Sequence, residues 1–249
     1  MTELVDSIRE RYLHTLDRIA SAARSAGREP AAIRLVVVTK SQPREVVEAA
    51  IEAGATILGE NYPEEAVEKI QSIGVQSAVE WHMIGHVQSR KARLVPANFN
   101  LMHSLDSAKL AGKLDRFAAE AGRVLPVLLE FNVGGEDSKS GWPAADESRW
   151  DELAALLTPV LGLPHLRIRG LMVMPPIGDD AEASRPYFQR THRLQAFLRE
   201  RLPQADWSEL SMGTSTDFEV AVQEGATLVR VGTAIVGPRK YAQNNVEEP

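Results

Sequence analysis

Eight short apolar runs, each separated from the next by a helical pattern, do most to constrain the fold of this 249-residue chain. The runs are 33–39, 55–59, 81–85, 100–104, 125–132, 167–173, 207–211 and 227–231. Between them, apolar residues recur at helical spacing over 43–53, 62–72, 88–94, 107–121, 147–161, 181–202 and 216–224. Short apolar strands alternating with helices imply parallel βαβ units. Eight such units suit a single (β/α)8 TIM barrel, which typically takes about 250 residues. A doubly wound open sheet is the alternative, because a long helix and a loop separate the sixth and seventh runs. No Gly-x-Gly-x-x-Gly motif opens a helix, which counts against the dinucleotide-binding version of that sheet. Ahead of the first run, Val5, Ile8, Tyr12, Leu16, Ile19 and Ala23 predict an extra amphipathic helix over 2–26, stopped by Gly27 and Pro30. No linker or repeat divides the chain, so one domain is expected over 1–240, with a frayed polar tail over 241–249.

Composition works mainly by exclusion. The chain has 28 basic against 34 acidic residues, a formal charge of −6, and no long basic cluster, so nucleic acid is a poor partner. No apolar run approaches the roughly 18 residues of a membrane span. The acidic start, Met1-Thr2-Glu3, lacks the basic segment of a signal peptide. A cytoplasmic protein with no membrane partner is expected. The absence of cysteine removes disulfides, thiolate nucleophiles and Cys-based metal sites.

Barrels bind their ligands at the C-terminal ends of the strands, and polar residues gather at those positions. The first run ends in Val36-Val37-Val38-Thr39-Lys40. Its ammonium either caps the strand and snorkels to water or projects into the mouth. A lysine desolvated there loses proton affinity and becomes a nucleophile toward carbonyls. After the seventh run, Gly213 permits a tight turn and Ser215 precedes a helical pattern. After the eighth, Gly232-Thr233-Ala234-Ile235 opens a short helix that Gly237-Pro238 closes. Singly, these read as an N-cap and a turn. Together they occupy the two strand ends where barrels frequently bind phosphate. Arg230 lies inside the apolar Leu228-Val229-Arg230-Val231, and a buried guanidinium needs a partner. That partner is either an interior carboxylate or a ligand in the mouth. An amine, an arginine and a phosphate cradle suit a phosphorylated aldehyde such as pyridoxal 5'-phosphate, with Lys40 forming the Schiff base and Arg230 facing the ring nitrogen.

The histidines carry less. His82 and His86 are four apart, but Gly85 breaks the run and no third ligand has convincing spacing, so no metal is expected. His82 either lines the pocket or packs as a hydrogen-bonded core histidine. Neither a P-loop nor a Gly-x-Ser-x-Gly elbow is present.

Several blocks follow one another in a distinctive order. They are Val38-Thr39-Lys40, Gly59-Glu60-Asn61-Tyr62, Trp81-His82-Met83-Ile84-Gly85-His86-Val87-Gln88 and His103-Ser104-Leu105-Asp106. Then come Asn132 with Gly135-Glu136-Asp137-Ser138-Lys139-Ser140-Gly141, Gly170-Leu171-Met172, Leu210-Ser211-Met212-Gly213 with Ser215 and Asp217, and Val229-Arg230-Val231-Gly232-Thr233. In these blocks the chain resembles the pyridoxal phosphate homeostasis protein family. The resemblance implies a barrel like the N-terminal domain of alanine racemase, fold type III among pyridoxal phosphate proteins, with Lys40 holding the cofactor as a Schiff base. It also implies Ser215, Gly232 and Thr233 as phosphate ligands, Arg230 as ring-nitrogen partner, Asn61 and His82 as pocket lining, and Lys139 as a second lysine near the mouth. Thr214, Arg90 and Pro63-Glu64 depart from the usual pattern without removing an implied contact.

A ring nitrogen facing a guanidinium stays largely unprotonated, which weakens the ring as an electron sink. A racemase also needs an acid or base on each face of the substrate carbon. Alanine racemase takes one from an additional β-domain, for which this chain is too short. The expected function is therefore intracellular pyridoxal phosphate homeostasis: a monomer that buffers the cofactor and delivers it to apo-enzymes, with no catalytic residue assigned and little or no turnover. The alternatives are a slow amino-acid racemase using Lys40 and one further base, and a cofactor-free Schiff-base aldolase of phosphosugars.

Overall fold

Parallel strands must be covered on both faces, and the residues of the first run after Arg34 meet that demand, being buried from Leu35 to Val38. The computed structural model describes residues 2–74, 79–176, 178 and 180–238. Its strands are β1 (Arg34–Val38), β2 (Ile57–Glu60), β3 (Glu80–Met83), β4 (Leu101–Leu105), β5 (Leu125–Asn132), β6 (Trp142–Pro143), β7 (Leu166–Val173), β8 (Glu209–Ser211) and β9 (Leu228–Val231). Neighbours run β4-β3-β2-β1-β9-β8-β7-β5, and β4 also pairs with β5, so eight parallel strands close into a ring. The barrel expected from the alternation is the one that forms. The short β6 was not anticipated; it pairs with the end of β5 through Phe131 and Asn132, and its Trp142 indole donates to Leu105 O at 3.1 Å.

Side chains alternate along each strand, and the ring sorts them. Val36, Ile57, Leu101, Leu128, Met172 and Leu228 form an apolar cluster of their own inside the barrel. A larger cluster containing Leu35, Val37, Leu58 and Val229 lies between the ring and the helices. With Val36 inside, the same alternation puts Arg34, Val38 and Lys40 on the inner face.

The helices are α1 (Thr2–Ser25), α2 (Arg44–Glu52), α3 (Pro63–Ile73), α4 (Leu94–Asn98), α5 (Ala108–Glu120), α6 (Trp150–Leu161), α7 (Arg185–Arg201), α8 (Phe218–Gln223) and α9 (Thr233–Val236). The extra helix α1 packs against α2, α8 and α9, burying Val5, Ile8 and Ile19. Arg18 clamps it with hydrogen bonds of 3.0 and 2.8 Å to Glu219, its guanidinium 4.7 Å from the Phe218 ring centre.

Several expected bounds shift by a residue or two, and two of the differences have a local cause. The helix expected over 88–94 is replaced by tight turns, Lys91 N–H to Gln88 O and Leu94 N–H to Lys91 O, and α4 starts only at Leu94. Pro96 then falls in its first turn, where a missing N–H costs nothing. The strand expected from 207 starts at Glu209, because Asp206 Oδ1 accepts the Ser208 N–H at 2.9 Å and holds a turn. Among the described residues no helix is long and apolar enough to cross a membrane. The tail expected over 241–249 lies outside the described residues.

Candidate functional site

The chain leaves β1 through a turn that carries Lys40. Gln42 N–H donates to Thr39 O at 3.1 Å, and Ser41 takes φ +56, the one left-handed non-glycine conformation among the described residues. That conformation costs energy for a residue with a Cβ, and contacts around it hold it. Ser41 N–H donates to Glu65 Oε1 at 3.0 Å and Thr39 Oγ1 to Glu60 Oε1 at 2.7 Å. Lys69 Nζ donates to Thr39 O and to Glu60 Oε1, both at 2.9 Å, and reaches Glu65 Oε1 at 2.6 Å. Gln42 Nε2 donates to Gly237 O at 3.3 Å, tying the turn to the end of α9. Burial raises the Glu60 pKa, although Lys69 and Thr39 pull it back down. Lys40 itself lines a cavity of about 410 Å³ at the C-terminal mouth of the barrel.

The opposite wall follows β8 and β9. Gly213 has φ +91, and a Cβ there would lie 2.5 Å from Ala221 Cβ, so only glycine lets the chain fold back onto α8. Asp217 Oδ1 then accepts from Thr214 N–H at 2.7 Å and Thr214 Oγ1 at 3.0 Å, fixing the turn around Ser215. Ser215 Oγ accepts the Gly232 N–H at 3.2 Å and joins the two strand ends. The N–H groups of Thr233 and Ala234 precede the first bond inside α9. Hydroxyl and N–H donors thus converge on one wall of the cavity.

Arg230 closes the floor and is only 4% exposed. Its Nη1 donates to Ser211 Oγ, and its Nη2 donates to Val173 O at 2.9 Å and touches Met174 Sδ. Burial brings its pKa down to about 10 against the pull of Glu130 and Asp217, so it remains a cation at neutral pH. The interior-carboxylate alternative fails for its hydrogen bonds, which go to a hydroxyl, a carbonyl and a sulfur.

Glu130 lines the same cavity. Burial, reinforced by Asp106 and opposed by Arg230 and His86, raises its pKa to about 7. The folded protein therefore binds this proton more tightly than the unfolded chain does, and stability falls as pH rises from the ordinary carboxylate range through 7. Glu130→Gln cannot ionise. By thermal melting it should gain about 1–3 kcal/mol over the parent at pH 8 and little at pH 5. Equal changes at both pH values would clear Glu130 of this role.

The cavity brings together Lys40, Asn61, Ser215, Arg230, Gly232 and Thr233. The expectation that His82 lines it does not hold. Register explains why: Val38 pairs with Gly59, and Gly59 with His82, so His82 sits one layer below Asn61. Ile84 takes the place in the cavity wall, and His82 is fully buried, with its edge on a separate cavity toward Arg34 and Glu209 at the opposite end of the barrel. Lys139 borders neither cavity. It donates to Pro175 O at 2.8 Å and pairs with Glu136 at 2.6 Å, which braces its loop. Reading the sequence missed Glu130, Gln42 and the Glu60–Lys69 pair. Glu130 carried the same signal as Arg230, a charge inside an apolar strand.

An anionic ligand rich in polar atoms fits this lining. Asn61 Oδ1 is buried with no hydrogen-bond partner among the described residues, although its residue lines the cavity. Such an acceptor is costly to leave unpaired. The amine, guanidinium, hydroxyl and N–H donors around it supply positive potential for a phosphate.

Residues 12–240 match the family model of the alanine racemase N-terminal domain. A pyridoxal phosphate homeostasis protein of Pasteurella multocida is 38% identical over 238 residues, covering 95% of this chain and 100% of that protein. The protein of the same name from Escherichia coli K12 is 40% identical over 232 residues, covering 91% and 94%. Among solved structures, PipY of Synechococcus elongatus with PLP bound superposes with a TM-score of 0.77 at 37% identity, covering 89% of this chain and 99% of that one. An alanine racemase from Clostridium difficile, 16% identical with a TM-score of 0.67, covers 97% of this chain and 58% of its own, and shares the fold. The sequence blocks, the closed barrel and these relatives agree, and the chain belongs to the pyridoxal phosphate homeostasis protein family.

Proposed function

We propose that the protein binds pyridoxal 5'-phosphate in the C-terminal mouth of the barrel, holds it as a Schiff base on Lys40, and keeps it available for transfer to apo-enzymes. The observation that carries this reading is the convergence of Lys40, Arg230 and the Ser215–Gly232–Thr233 wall on one cavity. Ser215, Gly232 and Thr233 hold the phosphate, Asn61 accepts a hydrogen bond from the ligand, and Arg230 is the partner of the ring nitrogen. When bound, the cofactor supplies an aldehyde and an aromatic ring able to accept electrons. Arg230 remains a cation and opposes a proton on the ring, which disfavours turnover.

A slow racemase has one observation in its favour. Glu130 titrates near neutrality in the cavity that Lys40 lines, so a second acid–base group is present. One experiment separates the readings. The purified protein takes up pyridoxal phosphate with a visible absorbance band, and borohydride fixes the adduct to the peptide containing Lys40. Lys40→Ala loses both signals while staying folded. Cofactor then passes to an apo-enzyme in a coupled assay, with no racemisation of free amino acids. Absence of a trappable adduct ends the cofactor reading, and robust racemisation replaces the carrier reading with the catalytic one.

A further inference from the structure

Arg230 is the last member of a hydrogen-bonded file that runs down the barrel interior. Its Nη1 donates to Ser211 Oγ, which lies 2.8 Å from His103 Nδ1. His103 Nε2 lies 3.0 Å from His82 Nδ1, and His82 Nε2 lies 3.2 Å from Glu80 Oε2. The members come from β9, β8, β4 and β3. Ser211, His103 and His82 are at most 1% exposed, whereas the Glu80 side chain is 52% exposed beside the cavity at the opposite mouth.

Counting donors sets the direction of the file. A guanidinium has donors only. The Ser211 oxygen must therefore accept from Arg230, and within the file its single O–H finds an acceptor only at His103 Nδ1. That nitrogen carries no proton, so a neutral His103 carries its proton on Nε2 and donates it to His82 Nδ1. By the same step His82 is protonated on Nε2 and donates to the Glu80 carboxylate. Reversal would leave the Ser211 hydroxyl hydrogen without its acceptor in the file, in a site where an unpaired polar group is costly. Electrostatics agree with this order. Burial holds His103 well below the ordinary histidine value and His82 below it, and the bond from His82 holds Glu80 below the usual carboxylate range.

We propose that Ser211, His103, His82 and Glu80 are positioning residues, a one-way file that locks the Arg230 guanidinium at the cavity floor with both imidazoles neutral and protonated on Nε2. His82 thus acts on a cavity it does not reach. The effect on ligand retention rests on the pyridoxal phosphate reading above; the file itself does not.

The test uses the full-length protein labelled with 15N, at pH 7, with and without pyridoxal phosphate. Proton–nitrogen correlation of the imidazoles should show a bare Nδ1 and a protonated Nε2 on both His82 and His103. A proton on Nδ1 of either ring, or a doubly protonated ring, overturns the proposal. Ser211→Ala should move the His103 Nδ1 resonance and weaken retention of pyridoxal phosphate about tenfold. His103→Leu should do the same to retention, and His103→Gln, whose amide both accepts and donates, should recover most of the loss. A folded His103→Leu with unchanged retention overturns the positioning role. If the parent protein takes up no pyridoxal phosphate, the ligand reading fails on its own, and the imidazole spectrum still decides the file.

Discussion

Lys69→Met should lower the stability of the barrel by about 3–5 kcal/mol, the loss expected when one partner of a buried ion pair is removed. The Lys69 side chain is 8% exposed and that of Glu60 is fully buried. Without the ammonium, Glu60 faces the interior with only the Thr39 hydroxyl for company, and Thr39 O keeps only the Gln42 N–H of its two donors. Glu60 is already held above the usual carboxylate range by burial, so in the variant it takes up a proton rather than stay charged. The damage also reaches the turn that carries Lys40, because Thr39 is the residue before it. Urea unfolding should show a lower midpoint with an unchanged slope, and cofactor retention should fall with it. Adding Glu60→Leu should restore part of the stability, since an apolar pair of similar volume avoids the buried charge. If Lys69→Met alone unfolds at the parental midpoint, the pair does not anchor the turn.

Gly170→Ala should cost at least about 4 kcal/mol, enough to remove most soluble protein at 37 °C. Gly170 has φ +150 and faces Glu209 across β7 and β8. A Cβ there would lie 1.9 Å from Glu209 O and within 2.8 Å of Glu209 N, both backbone atoms that cannot swing aside. The strand pair must separate, and β8 carries Ser211 at its end. Gly112 provides the contrast. It lies inside α5 with nothing within 4 Å of an added Cβ, so Gly112→Ala should stabilise by about 0.5–1 kcal/mol. Melting both variants beside the parent checks the pair. A Gly170→Ala protein that melts like the parent would show that the β7–β8 seam yields.

Much of the architecture was legible because parallel strands buried on both sides read as continuous apolar runs. Residues 125–132 are a strand from end to end, as expected. Arg230 was legible for a related reason, since a charge inside such a run must find a partner. The losses came from pairing between distant segments. The height of His82 in the barrel depends on its register against Gly59, which nothing near His82 records. Lys69 lies in the helical pattern over 62–72 with no local sign that sets it apart, and its burial shows only once α3 lies against the ends of β1 and β2. β6 is too short to carry a period, and it forms only because the ends of β4 and β5 are already placed.

The ring closes on a seam where its first strand meets its last: Leu35 pairs with Val229 and Val36 with Arg230. Lys40 follows one side of that seam, Gly232 and Thr233 the other. On the ribosome β1 emerges long before β9, and until β9 arrives no stretch of growing chain holds Lys40 beside Gly232 and Thr233. A molecule bound across the seam stabilises the joined state by mass action. Were pyridoxal phosphate held there as proposed, its uptake would mark chains whose first and last strands have met.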